Sequence, residues 1–153
     1  MTVFVPVTGT IAHRLRTGSA LDLLGYADGP ALRSWLGDGQ LSEEEVGYVA
    51  LNNAGVAALL LDDPTRIILA VDRDLAGDDE LGTVTLPAVR WAEVQSLFGD
   101  AAAAAESVAA ARAAIGGLDL GAALASPVVD ELQRDHDLLW YGPEELDTLT
   151  DRS

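Results

Sequence analysis

The sequence predicts an α+β fold, with a single mixed β-sheet of about four or five strands packed by three to five helices and a buried central helix at about 43–61. Three observations carry this expectation. Residues 66–71, RIILAV, form an uninterrupted β-branched apolar run, the pattern of an interior strand. Ser42-Glu43-Glu44-Glu45 has the S-x-x-E form of a capping box and puts acids in the positive first turn of a helix. The helix it opens is apolar on both sides, with Val46, Val49, Ala50, Ala57 and Leu60 on one face and Tyr48, Leu51, Gly55 and Leu59 on the other. Such a helix belongs in the interior, between the sheet and another helix, and Asp62-Asp63-Pro64 stops it.

The remaining elements follow in chain order. Residues 2–7, TVFVPV, read as a first strand that Pro6 ends or places at an edge. Thr8 or Thr10 caps a helix with Ile11 and Leu15 on its inner face, and Gly18 stops it. Residues 22–27 form a short strand, and Asp28-Gly29-Pro30 starts a helix through Leu36. A loop follows at Gly37-Asp38-Gly39. After RIILAV comes an acidic loop, 72–80, then a strand over 83–89 that Pro87 suits to an edge. Trp91–Val94 is ambiguous, and 95–98 fits a short strand or the start of a helix. Residues 101–115 read as a helix with Ala104, Val108, Ala111 and Ile115 on one face, ended by Gly116-Gly117. A loose connection, a helical turn or two over 127–135, a last strand over 137–141 and a closing helix from Gly142-Pro143 complete the chain. No internal repeat or linker is visible, so 1–150 is expected to be one domain and 151–153 a tail.

Composition excludes several function classes. There is no cysteine among the 153 residues, which removes disulfides, thiolate metal sites and cysteine nucleophiles and suits a cytoplasmic setting. There is no lysine either, because all nine basic residues are arginine; a phosphate loop of Walker type and Schiff-base chemistry are thereby absent. The N-terminus lacks the basic and apolar regions of a signal peptide, and the longest uncharged run, 46–61, is too short and too polar for a membrane span. The net charge of −16 repels phosphate backbones, so direct nucleic-acid binding is not expected. That charge suits a basic protein partner, although solubility alone also accounts for it.

The segments VFVP at 3–6, GYADGPALRSW at 25–35, EEEVGYVAL at 43–51, RIILAVD at 66–72 and DHDLLWYGPEEL at 135–146 follow one another along the chain. In these the chain resembles an uncharacterised family of small actinobacterial proteins, a domain of unknown function. The N-terminal VFVP-type strand and the C-terminal LLWY…EL motif are its most distinctive marks. The resemblance implies a high-GC bacterial source and a cytoplasmic single domain. It implies no activity and no cofactor, and it transfers no catalytic residue. The family is expected to be richer in alanine or acid at 52–53 than Asn52-Asn53.

Four positions or pairs merit attention for their chemistry. Asp72-Arg73-Asp74 directly follows the interior strand; a strand ending in D-x-D resembles phosphotransferases that hold Mg²⁺ with both carboxylates, but Leu75-Ala76-Gly77 is the wrong continuation. Asp72 and Asp74 are therefore weak metal candidates beside the plainer reading of a solvated acidic loop. His136, between Asp135 and Asp137, is a candidate base, although strand neighbours point to opposite faces and adjacency is not pairing. Trp140-Tyr141 is a candidate anchor for a partner, with one ring expected in the core and the other partly exposed; Trp35 and Trp91 are expected to pack inside. Asn53, on the buried helix, must bond a neighbouring loop backbone or line a pocket.

Two functional expectations result. The first is a non-enzymatic acidic protein-interaction or regulatory module. The second is a small carboxylate/His-based enzyme or ligand-binding protein, possible with Mg²⁺, which requires Asp72, Asp74, His136 and Asn53 to converge on one concave site.

Overall fold

The computed structural model describes residues 1–37 and 41–151. Asp38 and Gly39 of the expected loop, and Arg152 and Ser153 of the expected tail, lie outside the described residues. The class is α+β, as expected. The sheet, however, has six strands rather than four or five, every neighbouring pair is antiparallel rather than mixed, and seven α-helices are present among the described residues rather than three to five.

In chain order the elements are β1 (Thr2–Val7), α1 (Gly9–Arg16), β2 (Leu21–Tyr26), α2 (Pro30–Trp35), α3 (Glu43–Leu59), β3 (Ile67–Asp72), β4 (Thr83–Val89), β5 (Val94–Gly99), α4 (Ala105–Ile115), α5 (Leu120–Leu124), α6 (Pro127–Asp135), β6 (Leu139–Tyr141) and α7 (Leu146–Thr150). The strand order is β4-β2-β1-β3-β5-β6. Helices standing between strands are the usual mark of parallel crossovers. Here α3 does connect two strands of like direction, β2 and β3, but β1 lies between them and runs opposite to both. A crossover that skips one strand leaves each adjacent pair antiparallel.

β1 is central rather than an edge, and its Pro6 is accommodated by a split in the sheet. β1 pairs with β3 along its whole length, from Thr2↔Asp72 to Val7↔Ile67, yet pairs with β2 only at Phe4↔Tyr26. The end that carries Pro6 therefore has no strand partner on the β2 side, where a missing N–H leaves no gap in a ladder. Pro87 does fall on an edge strand, β4, as expected.

The two faces of the sheet have different covers. Val3, Val5 and Val7 of β1 and Ile67, Leu69 and Val71 of β3 pack with Ala12 and Leu15 of α1 and Leu146 and Leu149 of α7. On the other face Tyr26 and Ile68 meet Ala50, Leu51, Ala54 and Ala58 of α3. The far side of α3, through Val56 and Leu59, packs against Val108, Ala111 and Ile115 of α4 and Val129 and Leu132 of α6. Thus α3 is enclosed between the sheet and a second helical layer, as its two apolar faces require. Ser42 caps it: the Oγ accepts the Glu45 N–H at 3.1 Å, a contact of about 1 kcal/mol.

Other expectations need correction. Residues 118–126 are not a loose connection but contain α5, capped by Asp119, whose Oδ1 accepts the Ala122 N–H at 2.8 Å. The ambiguous segment 95–98 belongs to β5, with a short 3-10 turn at Trp91–Glu93 before it. Trp35 is not a packing residue: it is 64% exposed, because six-residue α2 turns only Leu32 inward. Trp91 is half-buried against the main core.

Candidate functional site

The most chemically distinct concavity lies where the start of α3 crosses the start of β1. It is a cavity of about 730 Å³ with an apolar floor of Phe4, Leu51 and Tyr48 and a rim that includes Asp28, Glu43, Glu44 and Asp74. Each wall has a structural origin. Glu43 and Glu44 sit in the first turn of α3, where the helix dipole favours anions. Phe4 is held by Phe98 in an edge-to-face contact with ring centroids 5.9 Å apart. Tyr48 is 54% exposed, and its hydroxyl donates to Asp137 at 3.4 Å, which ties the cavity wall to the segment leading into β6.

Charge on this rim is partly neutralised: Met1, whose ammonium bonds Asp72, also lines the cavity, and Arg33 acts on Glu43 as well as on Asp28. Arg33 forms a two-pronged bond to Asp28, Nε to Oδ1 at 2.8 Å and Nη2 to Oδ2 at 2.6 Å, and its Nη1 donates to the Leu41 carbonyl at 2.8 Å. Among the described residues Glu43, Glu44 and Asp74 form no ion pair.

The loop that brings Asp74 to the rim is tightly seated. Gly77 and Gly82 pass so close that a Cβ on Gly77 would lie 2.6 Å from the Gly82 Cα, and Gly82 has φ +80°. Asp79 folds the loop back by accepting the N–H groups of Leu81 at 3.1 Å and Thr83 at 2.9 Å. Burial, with a further contribution from Asp79, pushes the Tyr26 phenol above its ordinary range.

The residues singled out from the sequence do not gather in this cavity. Asn53 is 6% exposed and its Nδ2 donates to the Leu81 carbonyl at 3.0 Å, so the amide fastens the acidic loop to α3. Asp72 accepts the amino group of Met1 at 3.2 Å. His136 ends α6, its N–H donating to the Leu132 carbonyl at 2.9 Å. Tyr141 is half-buried against the main core, whereas Trp140, paired with Phe98 on the edge strand β6, is 65% exposed. Of Asp72, Asp74, His136 and Asn53, only Asp74 contributes to any of the four cavities described. Among the described residues, no three His, Asp or Glu side chains are grouped so as to hold a metal ion.

Sequence reasoning missed two arginine sites. Arg66 is 3% exposed and bonds Asp100 in two-pronged fashion, Nε to Oδ2 at 2.7 Å and Nη2 to Oδ1 at 2.5 Å. Arg112 donates Nη1 to the Leu59 carbonyl at 2.8 Å and also to the Leu61 carbonyl. It thereby supplies the cation that the last turn of α3 lacks. The available signal for Arg66 was a charge opening the most apolar strand of the chain. For Arg112, 53 residues from its acceptor Leu59, there was none.

Fold and site together define a six-stranded antiparallel α+β protein with an acid-rimmed, apolar-floored cavity and no assembled catalytic set among the residues singled out from the sequence. The chain belongs to a family of unknown function, DUF6912, whose model matches residues 1–150. No curated protein and no solved structure gave a significant match. No helix among the described residues is long and apolar enough to cross a membrane.

Proposed function

We propose that the protein is a non-enzymatic interaction module that receives an arginine- or lysine-bearing segment of a protein partner in the cavity between β1 and α3. The observation that carries this reading is the pairing of an apolar floor, Phe4, Leu51 and Tyr48, with rim carboxylates of which, among the described residues, only Asp28 forms an ion pair with an arginine. A long basic side chain fits such a site because its methylene stem covers apolar surface while its head stays among the carboxylates. The overall charge of −16 draws basic segments toward the protein. The exposed ring of Trp140, connected to the cavity wall through Asp137 and Tyr48, supplies a second anchor for the same partner.

The experiment is fluorescence anisotropy of a labelled arginine- and lysine-rich peptide. Binding is expected to weaken roughly tenfold or more between about 50 mM and about 500 mM salt, as screening shortens the reach of the carboxylates. The exposed-site double variant Glu44→Arg/Asp74→Arg should lose binding at low salt. Affinity indifferent to salt, or unchanged in that variant, defeats the proposal.

A further inference from the structure

Resting on the interaction reading above, we propose that the basic segment received between β1 and α3 binds as an extended chain, its main chain laid over Gly47 and held beyond Tyr48 by the side-chain amides of Asn52 and Gln133. Gly47 stands in the first half of α3, where a glycine lowers helix stability relative to alanine. Nothing within the described residues requires it: a Cβ placed there would meet no atom within 4 Å outside its own stretch of helix. Gly47 lines the acid-rimmed cavity. The missing side chain opens a strip of bare helix between Glu43 at one end and Leu51 at the other, with Tyr48 alongside. Bare backbone of this kind admits another main chain at close approach.

The strip continues past Tyr48 into a second hollow. Tyr48 also lines a cavity of about 480 Å³ with Asn52 of α3 and Asp130, Gln133 and Arg134 of α6. Asn52 and Gln133 are partly exposed, and among the described residues neither side chain makes a hydrogen bond. A primary amide sets a donor beside an acceptor, the complement of a peptide unit. Asp130 and Arg134, one turn apart on α6, offset each other, and the nearby Asp137 carboxylate accepts the Tyr48 hydroxyl. The hollow therefore suits a neutral polar group better than a charged side chain, and a peptide main chain is such a group. Spacing agrees. Glu44, Tyr48 and Asn52 follow one another at i, i+4, which places Glu44 and Asn52 roughly 12 Å apart along the helix axis in steps of roughly 6 Å. An extended chain covers that length in about three or four residues and returns a side chain to one face every roughly 6.6 Å. A helical occupant has its main-chain groups already paired and would leave both amides unused.

The probe is a labelled peptide with one Lys-Arg pair among alanines and serines, followed by fluorescence anisotropy at low salt. Gly47→Ala should raise the unfolding temperature of the free protein by roughly 2–4 °C, because the new methyl group meets only open space and improves the helix. The same change should weaken the peptide roughly tenfold, because the methyl stands where the main chain lies. Asn52→Ala/Gln133→Ala should weaken it roughly fivefold or more. In a series of peptides with one backbone amide at a time replaced by an ester, losses of about threefold or more should fall about three or four residues from the basic pair. A Gly47→Ala or Asn52→Ala/Gln133→Ala protein that binds like the parent overturns the extended mode, as does an ester series without loss at those positions. The basic partner itself survives such a result if binding by the parent still weakens with salt and is lost in Glu44→Arg/Asp74→Arg. Binding by the parent that is absent, or indifferent to salt, overturns both.

Discussion

Removal of the Asp100 carboxylate tests how the layers of this fold are fastened. Arg66 enters the interior at the start of β3 and reaches Asp100 just beyond the end of β5, while its Nη1 lies 3.3 Å from the Gly55 carbonyl in the middle of α3. One guanidinium thus joins two strands and the central helix. The fit is close: a Cβ on Gly55 would lie 3.2 Å from the same Nη1 and 3.0 Å from Leu138 Cδ1. In Asp100→Ala the guanidinium, 3% exposed, keeps only the long bond to Gly55. An uncompensated buried charge of this kind costs about 3–5 kcal/mol. That is a large fraction of the roughly 5–15 kcal/mol that stabilises an ordinary domain. At about 2–4 °C per kcal/mol for a chain of this size, the unfolding temperature should fall on the order of 6–20 °C. Urea unfolding followed by circular dichroism gives the free energy directly. The matched double variant Arg66→Met/Asp100→Leu removes both charges and should return to within about 1–2 kcal/mol of the parent. An Asp100→Ala protein within about 1 kcal/mol of the parent, or a double variant no better than the single, would refute this account of the pair.

Two further substitutions address the sheet edge. Ala88 has φ +49°, in the left-handed region, where the β2–β4 ladder passes from Leu21↔Val89 to Leu23↔Leu86 with an extra residue on β4. Its N–H donates to Asp22 at 2.8 Å, and the residue is exposed, so Ala88→Gly relieves strain without loss of packing. It should raise stability by about 0.5–1 kcal/mol, and a fall in urea midpoint contradicts the strain argument. Arg73 bonds Glu93 at 2.7 Å and 3.0 Å and the Pro87 carbonyl at 2.9 Å, and this bond holds the Glu93 carboxyl below its ordinary range. A folded-state value below the unfolded one gives stability that is present above the ordinary Glu range near about 4.3 and lost as pH falls through the folded value. Glu93→Gln should therefore be less stable than the parent by about 1 kcal/mol near neutrality, with the gap closing in acid. A gap that stays constant from about pH 7 to about pH 3 contradicts the assignment.

The parts of the fold legible in the sequence were those where local pattern and burial agree. RIILAV is interior because an unbroken apolar strand has no face to offer water, and Ile67 through Val71 are indeed all buried. The cap at Ser42 and the doubly apolar course of α3 identified both its start and its enclosure. Strand β5 was obscured because VQSLFG carries two polar residues, Gln95 and Ser96, only one of which faces water. The antiparallel sheet was hidden because strand order depends on which strand lies between β2 and β3, and no local residue records that. The acid-rimmed cavity was illegible for a related reason. Asp28, Glu43, Glu44 and Asp74 come from three separate stretches, and each has an ordinary local role as turn, cap or loop acid. For Asn53 burial imposes a partner but not which one; of the two expected settings, a loop backbone or a pocket, the Leu81 carbonyl supplies the first.

The most direct test of the interaction reading is a ¹H–¹⁵N NMR titration with an unlabelled arginine- and lysine-rich peptide at low salt. The account predicts that the amides of residues 2–5, 43–51 and 74 shift first and saturate together, with the Trp140 indole responding alongside them. Shifts spread evenly over every acidic surface, or confined to residues remote from β1 and α3, would contradict it.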